Sequence, residues 1–180
     1  MKIDIKTILN ILVFVFISFL FIGVQSTVLP SLFPGYLVPD LLSCMLIYVG
    51  IKRGLREGIV SVLFLSYMVA LNSGMGFFPC LVVYLMCFGL AKYIGFNIFT
   101  GTARSVFLGT FFCAGIPKLV FAIWFKWADY YSLLRMIPGT LLSALVTAFV
   151  SLFLFRLFSF IDMRTERMEP EYIAEKHRRF

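Results

Sequence analysis

Charge is scarce in this sequence: only 14% of its 180 residues are Asp, Glu, Lys or Arg, and just nine of those are acidic. So few polar side chains cannot cover the surface of a water-soluble globule, which excludes an ordinary soluble domain. Histidine is limited to His177, and the four cysteines, Cys44, Cys80, Cys87 and Cys113, show no Cys-x-x-Cys spacing. Such a set offers no zinc site, so no metal is expected. A Gly-rich phosphate loop is missing. So are a Ser or Cys nucleophile beside a candidate base and paired carboxylates within an apolar run. The expectation is a non-enzymatic chain with no catalytic residues and no cofactor. Internal repeats and a clear domain boundary are lacking too.

What fills the chain instead is apolar: 61% of residues are hydrophobic and 22 are Phe, in runs punctuated by seven Pro and 13 Gly. Lipid accepts apolar faces directly, so the bilayer is the expected solvent. The runs cover residues 7–24, 36–51, 58–71, 77–91, 105–125 and 137–160. They predict an all-α, polytopic integral membrane protein of about six transmembrane helices. Residues 1–161 form one transmembrane domain and 162–180 a charged cytoplasmic tail. The first run resembles a secretory signal after Lys2 and Lys6. Its apolar stretch from Ile8 to Val24 is longer than a cleaved signal core, which favours an uncleaved anchor.

Basic residues set the expected orientation. An even number of spans puts Lys2, Lys6, Lys52, Arg53, Arg56, Lys92, Arg104, Arg156, Arg164, Arg167, Lys176, Arg178 and Arg179 on one side. The other side receives Lys126 and Arg135. Both termini are therefore expected in the cytoplasm, and the net charge of +7 is expected to meet anionic lipid headgroups rather than nucleic acid. Trp124, Trp127, Tyr130 and Tyr131 surround Lys126 and Asp129 and suggest an interfacial aromatic anchor; an aromatic ligand cage is the alternative. Cys80 and Cys87, seven apart, share a helical face, as small packing residues do more often than redox pairs.

One stretch is more distinctive. Gly35-Tyr36-Leu37-Val38-Pro39-Asp40-Leu41-Leu42 opens a helix, Tyr48 to Gly54 closes it with an Arg-Gly turn, and Asn72-Ser73-Gly74-Met75-Gly76 follows the next helix. This pattern resembles MreD, the rod shape-determining membrane protein family, over residues 35–95, with agreement in length and span number. Many family members carry an acidic residue before the Ser-Gly hairpin, where this chain reads Val69-Ala70-Leu71-Asn72. The resemblance implies a scaffold of the lateral cell-wall synthesis complex in the bacterial inner membrane. Its implied partners are the bitopic protein MreC, the MreB filament, and RodA with its class B penicillin-binding protein. The competing class is a small-solute carrier, such as the substrate-binding subunit of an energy-coupling-factor vitamin transporter.

Pro39, Asp40, Asn72, Ser73, Gly74 and Lys118 are the expected partner or pocket residues. From Asp40 to Lys52 is only about 18 Å of helix against a ~30 Å hydrocarbon core, so the second span looks short, and runs 58–71 and 77–91 look short as well. Three short helices predict an outer depression lined by residues 34–40 and 72–76; tilted helices under a thinned bilayer are the alternative. Asp40 and Lys118 fall at similar depth, about 12 Å inside. They are expected either to pair across the second and fifth spans or to act separately, Asp40 as a helix cap and Lys118 by snorkelling. In the tail, Pro170, Tyr172, Ile173 and Phe180 suggest a short interfacial or partner-docking helix, or else a solvated tail.

Overall fold

The computed structural model describes residues 5–33, 37–74, 76–97, 102–126 and 130–164. Its elements are α1 (Ile5–Gly23), a π-helical turn (Val24–Val28), α2 (Leu29–Leu32), α3 (Leu41–Lys52), α4 (Leu55–Ser73), α5 (Phe77–Asn97), α6 (Ala103–Lys126) and α7 (Tyr130–Arg164). Helices satisfy all but their terminal backbone groups within one segment, as lipid requires of a spanning stretch. Among the described residues, five stretches, including α1 to α2 as one continuous rod, are long and apolar enough to cross a membrane, and α3 is a shorter apolar helix. The chain is an all-α, multi-pass membrane protein.

α3 is the axis of the fold. Residues Leu41 to Ile51 are buried without interruption, whichever way they point. A helix apolar on every side belongs in an interior, and the Leu-Leu-Ser-Cys-Met-Leu-Ile-Tyr sequence has no polar face to give to water. Tyr48, Phe14, Phe155 and Phe158 form an aromatic cluster around its lower half, with Tyr48 5.3 Å from Phe155 and 5.2 Å from Phe158 between ring centres. Such ring pairs add modest directional attraction to their burial.

On the α5 side, small residues let the two backbones approach. A Cβ placed on Gly50 would stand 2.8 Å from the Ala91 Cβ, and one on Gly95 would stand 3.2 Å from the Ile51 Cα. Close helix contact through small residues is a common way to join helices in lipid, where burial itself supplies little drive. Gly50→Val is therefore expected to force α3 and α5 apart, lowering the melting temperature in detergent by the equivalent of about 1–3 kcal/mol. Adding Ala91→Gly should recover part of that loss; no recovery would show that the contact is not the cause.

Two expectations change in the helices. α4 and α5 reach 19 and 21 residues, or about 28 and 31 Å, so of the three spans expected to be short only α3 is short. The apolar runs understated both because the helices continue through polar ends: Arg56 and Glu57 lie in the first turn of α4, and Lys92 and Asn97 lie toward the end of α5. α4 stops at Gly74, whose φ of 66° places it in the left-handed region that ends many helices. α7 also continues through Arg164, so Asp162 belongs to the packed bundle rather than to a tail beginning at that residue.

The first span has a built-in irregularity. Pro30 has no N–H to give the carbonyl four residues back, and its ring crowds that carbonyl. The widened turn Val24–Val28 immediately precedes it and absorbs the mismatch. Thr27 and Ser26 hydroxyls donate to the Gly23 carbonyl within this turn.

Candidate functional site

Among the described residues, the buried carboxylates of the bundle, Asp40 and Asp162, lie at the two ends of α3. At the N-terminal end, Asp40 caps the helix: its Oδ1 accepts from the Ser43 N–H at 3.0 Å and its Oδ2 from the Ser43 hydroxyl at 2.7 Å. The Lys118 Nζ lies 3.0 Å from the same Oδ2, joining α3 to α6. The sequence offered capping and pairing as alternatives, and Asp40 does both, because Oδ1 takes the Ser43 N–H while Oδ2 takes Lys118 together with the Ser43 hydroxyl. Pro117, buried inside α6, precedes Lys118.

Other elements lock onto this corner through the backbone. The Asp40 N–H donates to the Thr147 hydroxyl of α7 at 3.0 Å, and the Ser143 hydroxyl donates to the Val38 carbonyl at 3.2 Å. Leu41 donates its N–H to the Gln25 Oε1 at 3.2 Å. A helix start leaves four N–H groups without partners, and a buried one must find acceptors elsewhere. Here the π-turn brings Gln25 to one of them.

The opposite end of α3 holds a second cluster. Arg53, the residue that caps α3, donates from its Nη2 to the Asp162 Oδ1 at 2.9 Å and to the Asn10 Oδ1 at 2.8 Å. The Tyr48 hydroxyl donates to the Asp162 Oδ2 at 2.6 Å, and the Asn10 Nδ2 to the Asp162 Oδ1 at 3.0 Å. The Arg53 guanidinium also stacks 3.8 Å above the Phe14 ring, a cation–π contact. From α5, Lys92 Nζ donates to the Arg53 carbonyl. Four helices, α1, α3, α5 and α7, thus meet at one charged knot.

Of the expected site residues, Pro39, Asp40 and Lys118 assemble at the first corner, with Pro39 and Asp40 buried. Asn72, Ser73 and Gly74 are exposed where α4 ends, and the Asp40 carboxylate is held by Ser43 and Lys118 rather than by this turn. The depression expected between these two segments includes residues 34–36 and 75, which lie outside the described residues, as do Trp127, Asp129, His177 and the tail helix. All four cysteines are buried free thiols, as packing residues would be. Among the described residues no group of His, Cys, Asp or Glu is arranged to hold a metal.

Gln25, Asn10 and Asp162 were not among the expected site residues, although each carried a signal. Asn10 stands inside the first apolar run and Gln25 directly after it, and Asp162 directly follows the apolar Phe160-Ile161. Polar groups so placed usually find one another inside the bundle. No protein-family model matches this chain, and no curated protein or solved structure matches it significantly.

Proposed function

We propose that this chain is a non-enzymatic membrane scaffold of the MreD type. In this reading it sits in the bacterial cytoplasmic membrane with its basic ends and both termini inside. It would serve lateral peptidoglycan synthesis and rod cell shape by holding MreC, and through it the MreB filament, RodA and the class B penicillin-binding protein. One observation carries the reading: the charged side chains within the bundle are spent on one another. Asp40 and Asp162 are each neutralised by a cation and surrounded by internal donors. A solute carrier needs convergent polar groups facing a cavity. Among the described residues, Ser66 and Thr110 are the buried hydroxyls lacking a partner, a thin set for recognising a solute. Internal neutralisation leaves rigid apolar flanks, which suit helix-to-helix association with a bitopic partner.

Mild detergent extraction of the tagged chain from its native membrane provides the test. Recovery of a bitopic partner together with a wall-synthesis enzyme is the expected outcome. Recovery of an ATPase module or a bound solute would replace the scaffold by the carrier.

A further inference from the structure

A cleft of about 280 Å³ opens between α1, α3 and α4 on the half of the bundle that carries Arg53. Its deep part is apolar, with Phe14 of α1, Met45 of α3 and Leu65 of α4 all buried, and Val15, Phe64 and the exposed Val60 continue the apolar lining outward. Ser18 turns its hydroxyl to the Phe14 carbonyl and the Met45 sulfur, and Ser61 turns its own to the Glu57 carbonyl, so neither presents an unmet donor. Charge appears only at the mouth, as Arg53, Arg56 and Glu57.

We propose that this cleft binds one acyl chain of an anionic phospholipid, whose phosphate rests at Arg56. Shape favours a chain over a protein segment. α1 and α4 still touch beside the cleft, with the Phe19 and Phe64 rings 6.3 Å apart, so the gap is too narrow for a helix packed at about 8–10 Å from each axis, whereas a slender hydrocarbon chain enters it. An apolar cavity of about 150 Å³ already takes up benzene, so the space is sufficient. From Arg53 at the mouth to Met45 at the floor is eight residues, or about 12 Å of helix, so the cleft takes the headgroup-proximal part of the chain and leaves its end in the bilayer.

Charge at the mouth selects the headgroup. The Arg53 guanidinium is already held by Asp162, whereas Arg56, beside Glu57, makes no ion pair with a described residue and is the lining cation available to a phosphate. The guanidinium fork matches phosphate oxygens. α1 is the loosest member of the bundle, with 11% of its spanning stretch buried, so a chain wedged against Phe14 and Phe64 would supply contacts that α4 does not. The site is independent of the scaffold reading, since a carrier could possess it equally.

Native mass spectrometry of the full chain tests this, after reconstitution in vesicles of equal phosphatidylglycerol and phosphatidylcholine and mild detergent extraction. The wild type is expected to retain one phosphatidylglycerol over phosphatidylcholine by about fivefold, the scale of one basic residue at a membrane surface. Arg56→Gln should abolish that preference while still retaining a chain, and Ser61→Trp, which fills the cleft, should lose both lipids. Equal retention of the two lipids by the wild type would overturn the headgroup assignment without relying on any variant. Undiminished retention by a Ser61→Trp protein that elutes as wild type on size exclusion would overturn the cleft.

Discussion

Arg53→Ala is expected to be the most damaging single change in the molecule, lowering stability by about 3–5 kcal/mol. The Arg53 and Asp162 side chains are only 10% and 11% exposed, so water screens them little. Removing the guanidinium strands the Asp162 carboxylate, strips Asn10 of a donor and empties the space over the Phe14 ring. The reverse change should cost less. Asp162→Asn keeps one oxygen to accept from Arg53 and Asn10 and places an NH2 that can donate to a turned Tyr48 hydroxyl, losing the charge, whereas Asp162→Ala leaves Arg53, Tyr48 and Asn10 all short of a partner. Denaturant titration in detergent micelles should thus rank Arg53→Ala and Asp162→Ala well below Asp162→Asn. Replacing both charges by apolar residues will not restore the wild type, because the Tyr48 hydroxyl and the Asn10 amide remain buried there. Equal stability of Arg53→Ala and wild type would mean that the knot is ornamental.

That ranking depends on residues that the sequence placed elsewhere, and the reason is physical. Six apolar runs, their order and the shortness of α3 were all readable, because hydropathy and helix length are local properties. Arg53 read as a loop charge marking sidedness and Asp162 as the first residue of a polar tail, since a position beside an apolar run usually means the interface. Their meeting depends on how α3 and α7 cross, 109 residues apart in the chain, which no local pattern records. Asp40 and Lys118 were legible because each stood inside a run where an ion is expensive, and counting rise per residue set both at one depth. Gln25 was hidden for another reason: its reach to Leu41 depends on the π-turn, and the sequence announces only the Pro30 that follows.

The Asp40–Lys118 pair allows a sharper experiment than its counterpart, because its two ends are unequally buried. The Lys118 side chain is 26% exposed on a flexible stem, while that of Asp40 is 9% exposed and fixed by Ser43 and the start of α3. Removing the anion therefore leaves a lysine that can turn toward the membrane surface, whereas removing the lysine leaves a carboxylate with nowhere to go. Lys118→Met is expected to cost about 3 kcal/mol. Asp40→Asn, which retains the side-chain acceptor for the Ser43 N–H, should cost about 1 kcal/mol, and Asp40→Ala a further ~1 kcal/mol for the lost cap. Exchanging both charges tests the pairing directly. Asp40→Lys with Lys118→Asp re-forms an ion pair but sets a cation at the positive end of α3 and forfeits the cap, so rescue will be partial. In a double-mutant cycle read by thermal melting, the double exchange should sit at least 1 kcal/mol above the worse single variant. A double exchange no better than the worse single would show that Asp40 acts as a helix cap alone, with Lys118 near it by position and not by attraction.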